Sequence, residues 1–352
     1  MKIGVLGAGQ LARMLALAGY PLGARFRFLG RGREAPAGPL GELVIGDFSD
    51  PAKIAELAQG ADVLTFDVEN IPADAVRAAG AERLCRPGLL ALETGQDRLA
   101  EKSCFEALGI PVAPWRRVDS RADLDAAVAD LGLPFMLKAR RLGYDGRGQR
   151  LIRKPDEAPA AFAALGARAL IAEAFVAFDR EVSMLGVRAA DGTTAFYPLC
   201  ENQHTDGILR VSRAPAADAE LSRLARDYVG RLLARLEYVG VLAVEFFLCD
   251  GRLLANEMAP RVHNSGHWTI EGTVCSQFEN HLRAVLGLPL GLTTALGNTA
   301  MVNLIGEMPD AAALLAIPGL HLHSYGKDPR PGRKLGHATL VADDPQQLAG
   351  PL

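Results

Sequence analysis

The first twenty residues narrow the choice of fold more than any other part of the chain. Residues 3–6 form a short apolar run, Gly7-Ala8-Gly9-Gln10 is a tight glycine turn, and residues 11–18 are apolar at helical spacing. A buried strand, a glycine turn and a helix in this order are the opening of a βαβ unit. Further strands are predicted at 25–29, 43–45 and 63–66, with a helix at 51–59. This alternation predicts a parallel, Rossmann-like α/β sheet.

The pattern changes after the Pro87-Gly88 pair, where strands and helices become mixed. Thr94-Gly95-Gln96-Asp97 fits a capping box and predicts a helix that begins at Thr94, with Leu99, Phe105 and Leu108 on its buried face. Later strands are predicted at 135–138, 170–175, 182–187 and 241–248, a long helix at 220–236, and a hairpin from 321–325 and 334–341. The fold class predicted is therefore α/β followed by α+β.

Composition excludes several classes of protein. The 352 residues correspond to two or three domains at ~150 residues each. With 49% apolar and 22% charged residues, the chain is neither disordered nor fibrous. The net charge of −3 argues against a nucleic-acid binder, which would be basic over at least one domain. There is no signal peptide and no apolar stretch near the ~20 residues that span a bilayer, so we expect a cytoplasmic protein without membrane contact.

The glycine turn also matches a dinucleotide fingerprint, G-x-G-x-x-A, at residues 7–12. A nicotinamide dehydrogenase needs an acid ~20 residues further on, at the end of the second strand, and this chain has Leu29-Gly30-Arg31 there. We therefore predict no NAD(P) cofactor. The turn either needs glycine for its geometry alone or borders the substrate pocket, where helix N–H groups would face a nucleotide substrate or bicarbonate. An NADP-dependent oxidoreductase stays as a less favoured alternative, because Arg31 and Arg33 would suit a 2′-phosphate.

A cationic glycine loop follows the strand that ends at Lys138. Residues 139–150 contain three glycines and four arginines against one aspartate. Glycines let backbone N–H groups approach phosphate oxygens, and arginines add charge-assisted hydrogen bonds. The P-loop pattern G-x-x-x-x-G-K-[ST] does not occur in the chain, so nucleotide binding must use another architecture.

Acidic residues at strand ends fit either a plain charged surface, which is the commoner case for two such residues taken alone, or a site for a divalent cation. Glu245 follows the strand 241–244, and Asn256-Glu257 follows the run 252–255 across the turn Cys249-Asp250-Gly251. A hairpin can bring the two carboxylates together, and Mg²⁺ prefers such oxygen ligands when it bridges to phosphates. The next segment, 259–269, carries His263 and His267, but Pro260 and Gly266 argue against the helix that a zinc pair needs, so a loop for an anion or a polar substrate is favoured.

Several longer strings resemble a known family. They are GYDGRGQ at 143–149, FYPL at 196–199, HTDGILR at 204–210, NEMAPRVHNSGHWT at 256–269 and RPGRK at 330–334. Together with Lys138, Glu173, Glu181 and Glu245, they resemble the 5-(carboxyamino)imidazole ribonucleotide synthase family of purine biosynthesis, which has the ATP-grasp fold. The resemblance runs from residue 4 to about residue 337.

That resemblance implies an architecture and an activity. The implied domains are an N-terminal Rossmann-like pre-ATP-grasp domain at 1–93, an ATP-grasp domain at 94–290 and a small β-rich C-terminal domain at 291–352. The implied enzyme is an ATP-dependent carbon–nitrogen ligase and a homodimer. ATP, with Mg²⁺, phosphorylates bicarbonate to carboxyphosphate, and the amine of aminoimidazole ribonucleotide is then carboxylated. A sister ATP-grasp ligase or a formate-dependent transformylase is the nearer alternative, and a non-catalytic nucleotide-binding regulator is a third.

The resemblance also assigns site residues. The ATP-binding residues are Arg98, Lys138, Gly143, Tyr144, Asp145, Gly146, Arg147, Gly148, Gln149, Glu173, Ala174, Phe175, Val176, Glu181, His204, Asn256 and Glu257, with residues 143–149 as a lid. The ribonucleotide-binding residues are Glu69, Tyr144, Asp145, Arg147, Arg261, His263, Asn264, Lys327 and Arg333. The catalytic residues are Arg261, His263, Lys138 and Arg147, and Glu245 and Glu257 hold the metal. Two departures are Asp67, where the family usually has Glu, and an end at Leu352 that is early for the family.

Overall fold

The opening residues form the parallel sheet that their pattern predicts. The structure is a computed structural model that describes residues 1–143, 146 and 148–348. The strands of its first sheet are β1 (Lys2–Leu6), β2 (Arg25–Gly30), β3 (Glu42–Ile45) and β4 (Val63–Phe66). They are parallel, in the order β3-β2-β1-β4. The helices of this part are α1 (Gln10–Gly19), α2 (Pro51–Ala58), α3 (Ala73–Ala78), α4 (Leu89–Gln96) and α5 (Arg98–Ala107). The predicted strands and the helix at 51–59 are confirmed within one residue.

The predicted helix start at Thr94 is wrong. Thr94 lies inside α4, and its hydroxyl donates a hydrogen bond to the Leu90 carbonyl at 2.7 Å, as hydroxyls within helices often do. Asp97 instead begins α5, because its carboxylate accepts a hydrogen bond from the Leu99 N–H at 3.0 Å. The predicted buried face is also only partly right, since the charged residues Glu101 and Lys102 are buried beside Phe105.

The second sheet is antiparallel and carries the glycine-rich segment at one end. Its elements are β5 (Trp115–Val118), α6 (Arg121–Leu131), β6 (Phe135–Ala139), β7 (Gln149–Ile152), α7 (Ala158–Ala164) and β8 (Leu170–Ala174). The strand order is β5-β8-β6-β7. The strands predicted at 135–138 and 170–175 are confirmed within one residue.

The third sheet is the largest, with nine antiparallel strands among the described residues. Its strands are β9 (Arg180–Arg188), β10 (Thr194–Phe196), β11 (Cys200–Thr205), β12 (Ile208–Ala214), β13 (Gly240–Cys249), β14 (Arg252–Ala259), β15 (Asn298–Ile305), β16 (Leu320–Ser324) and β17 (Lys334–Ala342). The order is β14-β13-β9-β11-β12-β15-β17-β16, and β10 pairs with β9. The strands predicted at 182–187 and 241–248 and the hairpin of β16 and β17 are confirmed, although β9 begins two residues earlier than predicted.

Four helices accompany the third sheet: α8 (Ala219–Arg235), α9 (Thr269–Gly272), α10 (Gln277–Val285) and α11 (Ala311–Leu315). The apolar face of α8 packs on β9 and β13, so the helix predicted at 220–236 is confirmed. On the opposite face, α10 shares one hydrophobic core with α1 of the first sheet, where Leu15 and Leu282 are both fully buried. This shared core fixes the first sheet against the third. None of the helices described is long and apolar enough to cross a bilayer.

The third sheet continues across the predicted domain boundary at residue 290, because β12 pairs with β15. The junction is sealed by two buried amides. Asn303 of β15 and Asn264 exchange reciprocal hydrogen bonds at 2.8 and 3.0 Å, and the Asn303 amide also donates to the Leu209 carbonyl of β12 at 2.9 Å. Both side chains are at least nine-tenths buried.

We expect Asn303→Ala to lower the free energy of unfolding by about 1–3 kcal/mol, because it leaves the Asn264 amide and the Leu209 carbonyl buried without partners. Urea unfolding followed by circular dichroism measures the loss. The matched control is Asn298→Ala on the same strand, whose exposed amide donates only to the Asp343 carbonyl and whose loss is expected to stay within about 0.5 kcal/mol. Equal losses in the two variants would contradict the role given to the amide pair.

Candidate active site

A polar cleft lies where the first and third sheets meet the end of the second. Its walls come from the segment after β4, from the junction of α4 and α5, from the segment after β6, and from β13 and β14. The lining residues are Glu69, Asn70, Gly95, Gln96, Arg98, Glu101, Arg140, Leu142, Gly143, Ala243, Glu245, Glu257, Met258, Ala259, Arg261 and His263. Six of the residues predicted for the site, Glu69, Arg98, Glu245, Glu257, Arg261 and His263, are therefore brought together here with Gly143.

The two predicted metal ligands face each other across a hairpin. Asp250 and Gly251 both have positive φ, at 48° and 73°, the conformation of a type I′ turn, and they join β13 to β14. Glu245 and Glu257 are direct partners in this ladder. Burial and the nearby charge of Glu257 raise the pKa of Glu245 to about 7. Burial also opposes ionisation of Glu257, but the Arg98 guanidinium, 3.0 Å from its carboxylate, lowers the pKa of Glu257 below its usual value.

This carboxylate pair fits a divalent cation that is completed by other ligands. No group of three or more His, Cys, Asp or Glu side chains in residues 1–143, 146 and 148–348 is arranged to hold a metal ion. Two carboxylates in register repel each other, and the charge of Glu257 adds to burial, the larger cause, in raising the pKa of Glu245. Mg²⁺ commonly takes only one or two protein carboxylates and fills its octahedron with phosphate oxygens and water. The donor set therefore suits Mg²⁺ bound to a nucleotide rather than a closed metal site.

Lys138 and a neighbouring lysine share one buried carboxylate. The Glu173 Oε2 atom lies 3.1 Å from the Lys138 Nζ and 3.3 Å from the Lys102 Nζ. Burial alone would raise the pKa of Glu173, but the two ammonium groups outweigh it and lower that pKa to about 2. The same burial lowers the pKa of Lys138, against the opposing effect of Glu173. Lys138 thus lies near the end of β6, buried and paired with an ionised carboxylate.

The other predicted nucleotide residues lie on strands next to this pair. Ala174 ends β8 and is half-buried, and of the two residues that follow it, Phe175 is 46% exposed and Val176 is half-buried. His204 of β11 and Glu181 of β9 are joined by a 2.8 Å contact between Nδ1 and Oε2. Although burial opposes it, this hydrogen bond raises the pKa of His204. Such a surface offers an apolar contact and a carboxylate acceptor to a nucleoside.

Three predicted ribonucleotide residues are tied together at the far end of the cleft. The Arg261 Nε donates to the Glu69 Oε2 at 2.6 Å, which joins β14 to the segment after β4. The His263 Nε2 lies 3.4 Å from the Glu245 Oε1. Burial, together with the charge of Arg261, holds the pKa of His263 well below its usual range, so the imidazole is neutral.

The remaining ribonucleotide residues are placed differently. Asn264 turns its amide into the buried pair with Asn303 and away from the cleft. Lys327 contacts the Gln10 side chain at the start of α1 and donates to the Lys334 carbonyl at 3.2 Å. The Arg333 guanidinium donates to the Asp328 carbonyl at 3.0 Å at the exposed turn between β16 and β17. Lys327 and Arg333 therefore form a basic end beside α1 rather than part of the cleft wall.

Three predicted residues, Tyr144, Asp145 and Arg147, lie outside the described residues. Of their neighbours, Gly146 and Gly148 have positive φ, at 73° and 72°, and the Gly148 carbonyl accepts a hydrogen bond from the Ala139 N–H at 2.8 Å. Gln149 begins β7. The lid remains a prediction.

The glycine turn binds an internal carboxylate. The Gly9 and Ala12 N–H groups donate to the two carboxylate oxygens of Asp67 at 2.6 and 2.9 Å. A Cβ atom on Gly7 or Gly9 would lie only 2.5 or 2.6 Å from the Asp67 side chain, which explains the need for glycine at both positions. These two N–H groups are therefore not free for a nucleotide substrate or bicarbonate, and that prediction is wrong for them, because a side chain of the same chain neutralises the helix N-terminus.

Of the charged residues at the start of α5, the sequence reasoning assigned Arg98 to the site but missed Asp97, Glu101 and Lys102. Asp97 accepts from Arg140 at 2.7 and 3.0 Å and from Arg141 at 3.2 Å. Glu101 accepts from the Met258 N–H at 2.6 Å, and burial raises the pKa of Glu101 to about 8. Lys102 donates to the carbonyls of β14. The only sequence signal was the helical spacing of Arg98, Glu101 and Lys102, which is equally typical of an exposed helix face.

Family models match three consecutive parts of the chain. They describe a ribonucleotide synthetase preATP-grasp domain at residues 1–96, an ATP-grasp domain at 103–278 and a phosphoribosylaminoimidazole carboxylase C-terminal domain at 299–350. The ATP-grasp match covers the second sheet and the hairpin with Glu245 and Glu257. The cleft is thus framed by parts of the first two matches.

Whole-length relatives agree with these matches. The chain is 54% identical over 344 residues to the N5-carboxyaminoimidazole ribonucleotide synthase of Pseudomonas aeruginosa, across 98% of this chain and 95% of that one. It superposes with a TM-score of 0.94 on the crystal structure of N5-carboxyaminoimidazole ribonucleotide synthetase from Thermus thermophilus, at 55% identity, across 98% of this chain and 95% of that one. The synthase from Aspergillus clavatus, in complex with ADP and 5-aminoimidazole ribonucleotide, matches with a TM-score of 0.91 at 33% identity, again across 98% and 95%.

Proposed function

This chain belongs to the N5-carboxyaminoimidazole ribonucleotide synthase family, and we propose that it uses ATP to join bicarbonate to the amine of 5-aminoimidazole ribonucleotide. It is an ATP-dependent carbon–nitrogen ligase of the ATP-grasp type, with ATP as a substrate, and it acts in purine biosynthesis. The products are N5-carboxyaminoimidazole ribonucleotide, ADP and phosphate.

One observation carries the proposal: two different kinds of binding group line one cleft. Arg98 and the Glu245–Glu257 pair suit a metal-bound polyphosphate. Arg261, held by Glu69 at 2.6 Å, and neutral His263 suit a small polar substrate. A ligase that activates one substrate with ATP and passes it to a second needs both within reach of one reacting carbon.

The reaction has two steps. A bicarbonate oxygen attacks the γ-phosphorus of ATP, ADP leaves, and carboxyphosphate forms. The exocyclic amine then attacks the carboxyphosphate carbon, the bond from carbon to the bridging oxygen breaks, phosphate leaves, and the nitrogen loses one proton. Bicarbonate is a poor electrophile until phosphorylation turns one oxygen into a good leaving group, so the ATP step makes the second step possible.

On the nucleotide side, we propose that Arg98 and Lys138 bind the phosphate oxygens of ATP. Both cations are largely buried, so their interaction with phosphate oxygens is weakly screened. When it is bound by Glu245 and Glu257, Mg²⁺ supplies neutralisation of the phosphate charge that develops during transfer. Glu181 and His204, on adjacent strands, suit the ribose hydroxyls of ATP.

On the acceptor side, we assign the carbonate group and the imidazole ribonucleotide to Arg261 and His263. The Arg261 guanidinium can bind the carbonate oxygens, since one of its nitrogens is already fixed by Glu69. His263 is neutral and is assigned to hydrogen bonding with the polar substrate, while the departing phosphate can accept the proton that the amine loses. The basic end formed by Lys327 and Arg333 suits the ribonucleotide phosphate. We further propose a cytoplasmic homodimer.

The test is ADP release in a coupled assay with ATP, Mg²⁺, bicarbonate and 5-aminoimidazole ribonucleotide. We expect full turnover only when all four are present, with one ADP formed for each carboxylated product. Replacing bicarbonate by formate distinguishes the transformylase alternative and should give no product. ADP release that needs formate, or that is unchanged when the ribonucleotide is left out, would refute the proposed function.

We expect Glu257→Gln to cut kcat by at least ~10²-fold, because the variant loses one of two carboxylates that hold the cation on the phosphates. The fold should survive, since the amide can still accept a hydrogen bond from Arg98. Steady-state rates over a Mg²⁺ titration and a thermal unfolding curve check both expectations. Near-normal turnover of the variant at limiting Mg²⁺ would remove Glu257 from the metal site.

The rate with the ribonucleotide should depend on the charge of Lys327. Burial, together with the charge of Arg333, lowers the pKa of Lys327 to about 8, against the opposing effect of Asp67. The protonated ammonium binds phosphate, so kcat/KM for the ribonucleotide should fall up to about tenfold per pH unit above pH 8. In Lys327→Arg the fall should disappear, because guanidinium stays charged. A flat profile to pH 9.5 in the wild-type chain, or an unchanged fall in the variant, would argue against phosphate binding by Lys327.

A further inference from the structure

A β-bulge in β14 places Glu257 in the cleft. Glu257 pairs with Glu245, and Ala255 pairs with Phe246, so Asn256 has no partner in the ladder. In a regular strand, residues 255 and 257 would point to the same face of the sheet. Ala255 lies in the hydrophobic core under α8, whereas Glu257 lines the cleft on the opposite face. The extra residue therefore turns Glu257 to the cleft face of the sheet, where its carboxylate lies beside that of Glu245.

The bulge occurs at a sheet edge that is only partly covered: Ala255 makes a single bridge with Val112, and its N–H donates to the Pro111 carbonyl at 2.7 Å. β14 is the terminal strand of the third sheet. Two carbonyls at the bulge accept hydrogen bonds from one side chain: the Lys102 Nζ donates to the Asn256 carbonyl at 2.8 Å and to the Ala255 carbonyl at 3.2 Å. Lys102 is 1% exposed, so the ammonium has lost its water and depends on these partners.

The same ammonium contacts the nucleotide side of the site. Lys102 and Lys138 lie 3.3 and 3.1 Å from one oxygen of Glu173. Glu173 is therefore held between the lysine that seals the bulge and the lysine assigned to the ATP phosphates. Its other oxygen has no hydrogen-bond partner among the described residues, so the two lysines dominate its position.

Helix α5 brings these groups to the strand through one face. Arg98, Glu101 and Lys102 follow the i, i+3, i+4 spacing. They contact the Glu257 carboxylate, the Met258 N–H and the two bulge carbonyls, respectively. The helix thus contacts β14 at three points within residues 255–258. Lys102 makes the contact at the bulge itself.

We propose that Lys102 is a positioning residue for ATP and its cation: it holds the bulge that aims Glu257 at Glu245, and through Glu173 it sets the place of Lys138. This inference rests on the proposed function for the identity of the ligands. Lys102 acts through Glu257 and Lys138 and need not touch either substrate. Its loss should disturb metal-assisted ATP binding and leave the ribonucleotide end of the cleft intact.

The test compares Lys102→Met, which keeps the side-chain length without charge or donors, with Lys102→Arg, which keeps both. Calorimetry measures binding of a non-hydrolysable ATP analogue over a Mg²⁺ titration. For Lys102→Met we expect the half-saturating Mg²⁺ concentration and the analogue Kd to rise on the order of 10–100-fold, as for other groups that orient metal ligands. The KM of the ribonucleotide should stay within about twofold of the wild-type value. In Lys102→Arg the analogue Kd should be at least about threefold lower than in Lys102→Met.

The matched control is Lys53→Met on α2, where an exposed lysine pairs with Glu56 at 2.8 Å, and it should bind the analogue as the wild type does. If Lys102→Met does not fold, Lys102→Gln replaces it, and failure of both to fold overturns the proposal in favour of a purely structural lysine. Analogue and Mg²⁺ binding within twofold of wild type in Lys102→Met also overturns it. Because these readouts need no carboxylation, a wild-type chain that binds the analogue but makes no carboxylated product refutes the proposed function alone.

Discussion

The site depends on how the edge of the largest sheet is closed. β14 carries Glu257 and leads to Arg261 and His263, yet it is a terminal strand with a bulge. Exposed edge groups and an irregular register would leave such a strand free to shift. The charged face of α5 removes that freedom through Glu101 and Lys102, which bond the strand's backbone on either side of Glu257.

The contacts between α5 and the edge strand β14 are made largely by charged side chains with restricted access to water. Lys102 and Lys138 face the buried Glu173 with little access to water, and Arg98 faces Glu257, whose side chain is 40% exposed. Each buried ion is tolerated because an opposite charge lies within hydrogen-bonding distance. The cations lower the pKa values of Glu173 and Glu257 and so keep these two carboxylates ionised, in a weakly polar environment where charges act strongly on phosphate groups. The groups that stabilise the edge strand are therefore also groups that suit a nucleotide's phosphates.

Structural features that depend on neighbouring residues in the sequence were predictable. The parallel sheet follows from apolar runs that alternate with helical spacing, and the Asp-Gly turn predicted the hairpin that pairs Glu245 with Glu257. The resemblance to the family also assigned Glu69, Arg98, Arg261 and His263 to substrate binding, and these four residues line one cleft. The start of α5 was misjudged at Thr94 because two helices abut there, and a capping pattern does not say which of two adjacent polar residues accepts the N–H. The domain boundaries and the individual residue roles remain predictions.

By itself, the sequence determined the order and type of most elements, and its glycine-arginine loop and paired acids indicated phosphate and cation chemistry, because both follow from residue types at short spacing. Only the tertiary structure decided the partners of individual charges. Asp67 lies 55 residues or more from the amides that it accepts from, and Lys102 lies more than 150 residues from the bulge that it seals. Spacing within one helix or strand carries no information about such contacts. They are selected when a buried charge or an unpaired backbone group has to find its partner across the fold.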